Sequence, residues 1–450
     1  MGLLRALVGC ALFSLGCTST QRVTSPDAKN HGGELELAEA RRARPEPRAD
    51  QVLVRYLRAG GVYFEWQGRA LMTLPFATNY PLLGDVSVVA GGHSGPHPEF
   101  VVHDAIFKQK LAPDERAILH VLQGGLRLDR VDLLLAGHSH YDHLGDVSPI
   151  AGKWIPNARI FTNRSGKNML AATPGLSERT ESYEGAPGWL PRDYEAKGQL
   201  IRFRAIRSEH APNLELLGLK VAWPLGEVEQ PWTTPIDEHR LVELRAGTTH
   251  AFLIDFLDPK DSKRVAFRVH YQDAASRPPL GYPEPALIAE HPVDLEVVTL
   301  PGRETLPASP DRYPVGILRR TRARHALVIH YEDFFRPLFD ANGESRGVRL
   351  IPTLAGRPQR DFLRALVETI EKPAPGPCQH PEAIEGLCAD AFTLPLPGEW
   401  LLFDAPLSGH AAPAARSSIA RKPASNQRPL GPCAKQTLAP PAAFANTRAY

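Results

Sequence analysis

The stretch that most limits what this chain can become is a short apolar run, residues 131–136, which passes through Gly137 into His138, Ser139, His140, Tyr141, Asp142 and His143. An apolar run of this length, bounded by polar and turn residues, reads as a buried strand ending in a loop. Side chains at i and i+2 of an extended segment share a face, so His138 and His140 are predicted to converge on one point. Where the chain turns after Tyr141, Asp142 and His143 can project toward an adjacent point. Ordinary loop polarity does not account for three histidines and an aspartate within six residues. Neutral imidazole and carboxylate suit zinc at ligand distances of roughly 2.0–2.2 Å, and they also admit iron or manganese.

The rest of the chain alternates in the same strand-rich manner. From Gln51 a period-2 pattern runs through residues 51–76, broken at Gly60-Gly61 and Gln67-Gly68, which predicts an opening antiparallel meander. Residues 113–122 have a helical pattern, and residues 200–206, 250–256, 264–271, 295–300 and 325–329 are apolar runs of strand length. A second helical pattern covers 360–372, and 399–403 reads as one more strand. No internal repeat is found, nor any GxGxxG, Walker or GxSxG pattern.

Composition narrows the class. With 450 residues, 43% hydrophobic and 23% charged, the chain can bury a sizeable core. A formal charge of +2 supplies no large field for nucleic acid, so no nucleic-acid partner is expected. The 43 prolines are about double the usual share of roughly 5% and imply long loops and tails.

At the N-terminus, Arg5 precedes an apolar run, residues 6–16, too short for a permanent span of roughly 20 residues. It reads as a secretion signal over 1–17. Ser14, Leu15, Gly16 and Cys17 resemble a bacterial lipoprotein cleavage site, although that pattern favours Leu where Ser14 stands. Leu7, Val8, Gly9 and Cys10 fit the pattern better but leave almost no apolar run. The resemblance implies a lipid anchor at Cys17 and a periplasmic, envelope-bound protein, with an ordinary secreted protein as the alternative. Residues 18–50, polar and rich in breakers, read as a flexible tether, 51–404 as one domain, and 405–450 as a disordered tail. In an oxidising setting a Cys378–Cys388 disulfide becomes available, with Cys433 left over.

His138 to His143 have the HxHxDH pattern, and here the chain resembles the metallo-β-lactamase superfamily. The resemblance implies an α/β fold, an αββα four-layer sandwich in which helices flank two mixed sheets. It also requires a later histidine, then a bridging aspartate, then a last histidine, each after a strand. His210, Asp273 and His330 stand in that order, after 200–206, 264–271 and 325–329. By resemblance, His138, His140 and His210 hold one divalent ion, Asp142, His143 and His330 hold the other, and Asp273 bridges. Other residues near strand ends compete: His250, His270 and His325 for histidine ligands, Asp255 and Asp258 for Asp273. His93, His97, His103 and His120 read as surface or core residues. Leu74, Pro75 and Phe76 stand where many relatives carry Asp-Pro, and no cysteine falls among the matched positions, which argues against the lactam-hydrolysing branch.

The resemblance implies a hydrolase in which a hydroxide bridging two ions is the nucleophile, oriented by Asp142 as the catalytic residue. Tyr141, His325 and Tyr331 are weak candidates for leaving-group protonation. The order of ligands and the text from His330 to Phe335 look most like the branch of N-acyl-phosphatidylethanolamine phospholipase D. A phosphodiester, small or lipid-derived, is therefore the leading substrate, and a lactone, ester or amide the alternative. A non-catalytic, metal-binding envelope lipoprotein is the reading from another class. A nuclease fits poorly with export and with near-neutral charge.

Overall fold

A computed structural model describes residues 44–79, 109–210, 225–300, 313–321, 323–332, 334, 337–339, 343, 392–393, 395–405 and 407, with four short strand pieces at 30–31, 34–35, 214–216 and 219–221. The signal sequence, Cys17, Cys378, Cys388, Cys433, the 360–372 helix, His93, His97, His103 and nearly all of the tail lie outside the described residues. Among the described residues, no helix is long and apolar enough to cross a membrane.

Thirteen strands build the two main sheets: β1 (Gln51–Arg58), β2 (Gly61–Trp66), β3 (Arg69–Thr73), β4 (Val131–Leu135), β5 (Arg159–Thr162), β6 (Thr180–Ser182), β7 (Ile201–Arg207), β8 (His250–Asp258), β9 (Asp261–Gln272), β10 (Leu295–Thr299), β11 (His325–Ile329), β12 (Phe392–Thr393) and β13 (Trp400–Asp404). The seven-stranded sheet has the order β13-β1-β2-β3-β4-β5-β6, and the six-stranded sheet β12-β11-β10-β9-β8-β7. Both are mixed. The predicted meander β1-β2-β3 is antiparallel, and β3 to β6 run parallel. In the other sheet β7, β8 and β9 are antiparallel, while β9 to β12 are parallel.

Alternation along each strand assigns its faces. On β1, Val52, Val54 and Tyr56 enter the core between the sheets, whereas Leu53 and Leu57 turn to the outer layer. The central core joins Phe64, Leu71 and Phe161 of one sheet to Phe203, Phe252 and Val297 of the other. Outside the first sheet pack α1 (Glu115–Leu122), α2 (Tyr141–Leu144) and α3 (Arg164–Met169), through Ile118, Leu144 and Met169. Asp114 starts α1 by accepting the Arg116 and Ala117 amides at 2.9 and 3.1 Å, leaving Ala117, Ile118, Val121 and Leu122 on the buried face. Leu287 of α4 (Pro285–Glu290) covers the outer face of the second sheet against Leu253 and Val293. These are the expected αββα layers.

The boundaries differ from composition. Arg44 pairs with Glu65 at 2.7 Å and Arg48 with Asp404 at 2.7 Å, so residues 44–50, read as tether, lie against the sheet. Ala405 and Leu407, read as tail, are buried. The partners that order these segments are remote in sequence, which local composition does not reveal.

Beneath α4, Asp255 accepts from Arg268 Nε at 2.6 Å and Nη2 at 3.0 Å, and from Arg202 Nη2 at 2.9 Å. Asp255 and Arg268 are fully buried, and Trp189 covers the Arg202 guanidinium at 4.1 Å. Removing one member of a buried ion pair strands the others in low dielectric. Asp255→Ala should cost about 3–5 kcal/mol of stability, read from the denaturant midpoint; a change under about 1 kcal/mol would show that the cluster holds nothing together.

Candidate metal centre

Each site residue follows the C-terminal end of a strand. The HSHYDH segment follows β4, His210 follows β7, Asp273 follows β9 and His330 follows β11. Parallel direction places these ends on one rim, where open α/β sheets bind ligands.

His138 and His140 lie beyond the β4 ladder, so strand alternation is not what sets their directions. The loop is instead fixed by Ser139, whose amide reaches Ala246 O at 3.0 Å and whose hydroxyl reaches Arg245 O at 2.6 Å. Asn163 Nδ2 secures the same segment at Ala246 O, 2.7 Å, and Thr248 O, 2.9 Å. His140 then caps the single turn α2, which carries Asp142 and His143.

The structure gathers all seven predicted residues. Three groups have potential ligand atoms within 4.8 Å of one another: His138, His140 and His210; Asp142, His143 and His330; and His138, His143 and Asp273. Asp273 therefore stands between the first two groups. Its Oδ2 lies 2.5 Å from His138 Nδ1 and its Oδ1 3.5 Å from His143 Nδ1. Asp142 Oδ2 lies 3.4 Å from His330 Nε2 and 3.6 Å from His143 Nε2.

Burial sets the protonation states. It holds the His140 imidazole well below its usual range, helped by neighbouring His210 and His138. His143 is lowered to about 4, again chiefly by burial, against the pull of Asp273. For Asp273, burial alone would raise the carboxyl, but His143, His138 and the Tyr271 hydroxyl outweigh it and bring it down to about 2. Asp142 is likewise held low, because His143, His330 and His140 overcome its burial. Neutral imidazoles and ionised carboxylates are the ligating forms. His138 Nε2 is buried without a hydrogen-bond partner, which a ligating nitrogen at an ion site would be. The donor set fits two divalent ions of the zinc, iron or manganese type.

The competing residues have other work. Asp255 belongs to the arginine cluster, and Asp258 accepts from Arg264 at 2.7 Å. Both nitrogens of His270 are engaged, with Glu296 at 2.6 Å and Gly281 O at 3.0 Å. His250 lies against Tyr183 at 4.7 Å between ring centres, and His120 against Phe339 at 5.1 Å. His325 opens β11 while His330 follows it, so the two are roughly 16 Å apart along the strand. Tyr331 donates to Pro395 O at 2.7 Å, and Tyr141 packs edge-on to Phe76 at 5.7 Å.

Several supporting residues escaped the sequence. Tyr271 Oη lies 2.9 Å from Asp273 Oδ1 and 2.7 Å from Gly60 O, one proton serving two acceptors. Asp146, pushed up to about 6 by burial, accepts the Ala77 and Thr78 amides at 2.6 and 3.0 Å and so holds the segment after Leu74-Pro75-Phe76. Gly137 permits a close approach to a site residue: a Cβ there would lie 2.4 Å from Asp273 Cβ and 2.5 Å from His250 O. A glycine beside the histidine motif was a usable signal; the tyrosine and aspartate had none.

No family model and no curated protein matches the chain. Among solved structures it is similar to Igni18, a metallo hydrolase from the hyperthermophilic archaeon Ignicoccus hospitalis, at 12% identity over 79% of this chain and 99% of that chain, with a TM-score of 0.40. It is also similar to the metallo-β-lactamase fold protein YhfI from Bacillus subtilis, at 13% identity over 62% and 86% of the two chains, TM-score 0.33. A third is a diphosphatase from the PhnP family, at 12% identity over 79% and 99%, TM-score 0.35. Likenesses this distant carry nothing about activity, and the functional reading rests on the ligand geometry.

Gly137→Ala should displace Asp273 and lower the metal content of the purified protein well below wild type. Gly152→Ala, where a Cβ meets nothing within 4 Å, should leave it unchanged. Equal metal content in the two variants would mean that the close approach at Gly137 does not matter.

Proposed function

We propose that this chain is a metal-dependent hydrolase that holds two divalent ions, zinc foremost, and cleaves a phosphodiester. The observation that carries the reading is the position of Asp273 between two three-residue groups, in contact distance of a histidine from each. When bound, such an ion pair supplies water acidic enough to attack near neutral pH and stabilises the oxygen on which charge develops. His138, His140 and His210 would hold one ion, and Asp142, His143 and His330 the other. Asp142 is the more open carboxylate, at 13% side-chain exposure against 2% for Asp273. Both of its histidine contacts use Oδ2, which leaves Oδ1 to accept a hydrogen bond from the attacking water and orient it. Asp273 remains ionised in this role, held so by the flanking histidines.

The phosphodiester class is supported by the sequence resemblance in ligand order and in the segment that begins at His330. Wild-type protein should contain about two ions per chain. His140→Ala should lose metal and hydrolysis together, and full metal retention in that variant would overturn the assignment. A panel of phosphodiesters set against lactones, esters and amides distinguishes phosphoryl from carbonyl substrates. Turnover of the carbonyl set alone would move the reading to acyl transfer, and no turnover by the fully loaded protein would favour a non-catalytic envelope role.

We further propose that export and lipidation at Cys17 tether the domain to the bacterial envelope, on its periplasmic side, which suits a lipid-derived substrate. Cys17→Ser should shift the protein from the membrane pellet to the soluble fraction. Unchanged pelleting would show that no lipid is attached there.

A further inference from the structure

A cluster centred on Glu332 lies behind the second ligand group and has no role in the mechanism above. Glu332 is fully buried, two residues past His330. Its Oε1 accepts the Ala59 amide at 2.5 Å, and its Oε2 accepts the Tyr56 hydroxyl at 2.5 Å. The Tyr56 oxygen in turn accepts the His330 amide at 2.9 Å. Donors and acceptors match throughout: a carboxylate only accepts, a phenol does both, and two amides donate.

Both ends of this chain of bonds sit in strained backbone. His330 has φ +57° and Ala59 φ +48°, in the left-handed region that L side chains rarely adopt. Such conformations persist where the surroundings over-determine them, and they concentrate at functional sites. Here the captured amides are those of the two left-handed residues themselves. The turn that Glu332 fixes then reaches the site directly. A Cβ on Gly60 would lie 2.8 Å from His143 Cε1 and 2.9 Å from Tyr271 Oη, so the bare backbone of that turn backs the imidazole. Gly60 O also accepts from Thr73 Oγ1 at 2.6 Å, and it lies 2.7 Å from the Tyr271 hydroxyl that faces Asp273.

We infer that Glu332 and Tyr56 are positioning residues for the second ion, clamping the first hairpin turn onto the end of β11 so that His330 and His143 face each other across Asp142. The inference rests on the two-ion reading. His138 and His140 are held by the separate Ser139 bonds to Arg245 and Ala246, so the clamp bears directly on His330 and His143 of the second ion and reaches the first only through Asp273. Groups that orient metal ligands from behind typically change metal affinity about 10- to 100-fold when altered.

The test is stepwise reloading of the full chain, stripped with chelator and titrated with cobalt(II), whose absorption bands report each coordination site as it fills. Glu332→Gln turns one arm of the clamp into a donor facing the Tyr56 hydroxyl; Tyr56→Phe, the milder change, removes the acceptor of the His330 amide. Both should leave the first ion within about twofold of wild type and weaken the second about 10- to 100-fold, with an altered cobalt spectrum for that ion. Asp255→Asn, in the remote arginine cluster, should lower stability yet leave both affinities in place. Wild-type affinities for both ions in Glu332→Gln and Tyr56→Phe would overturn the clamp alone, as would equal weakening of the two ions. A wild-type chain that takes up a single cobalt ion would overturn the two-ion reading, and the clamp with it.

Discussion

Withdrawal of four imidazoles and one carboxylate from water, with His210 and Asp142 half-buried beside them at one rim of a two-sheet sandwich, is the constraint around which the rest of the structure is arranged. His138, His140, His143, Asp273 and His330 are each no more than 3% exposed. The His138 and His143 ring centres are only 4.0 Å apart, and burial keeps His140 and His143 neutral. An unpartnered buried nitrogen costs about 1–3 kcal/mol, and His138 Nε2 and His330 Nδ1 are two of them. The rim is therefore not a self-assembling cluster. The scaffold must hold these residues in place.

That need explains where the surrounding polar bonds fall. Ser139, Asn163 and the carbonyls of 245–248 hold the loop after β4, Tyr271 braces Asp273, and Glu332 with Tyr56 ties β1 to the end of β11. Gly137 and Gly60 press directly on Asp273 and His143.

Each ligand group also draws on both sheets. His138 and His140 come from the seven-stranded sheet and His210 from the six-stranded one; Asp142 and His143 come from the first and His330 from the second. An ion held by either group would join the two layers across their rim and stabilise the folded state over the unfolded one. The long central core from Val52 to Leu407 packs the two layers against each other.

Much of this could be read from the sequence because the determining information is local. Period-2 alternation after Gln51 marks a meander, Asp114 ahead of an apolar face marks α1, and three histidines and an aspartate after residues 131–135 mark a strand-end cluster. The later His210, Asp273 and His330 could be matched only through family resemblance, since a single histidine or aspartate carries no pattern of its own. Tertiary structure alone decided the rest. It replaced strand alternation by Ser139 contacts as the cause of the His138 and His140 directions. It set His325 at the far end of the strand that carries His330, and drew residues 44–50 onto the sheet through charges at Glu65 and Asp404. It also made Glu332 and Tyr56, 276 positions apart, hydrogen-bonded neighbours of His330. Periodicity reports which face of an element is apolar; which remote residue meets that face depends on how the two sheets close on each other.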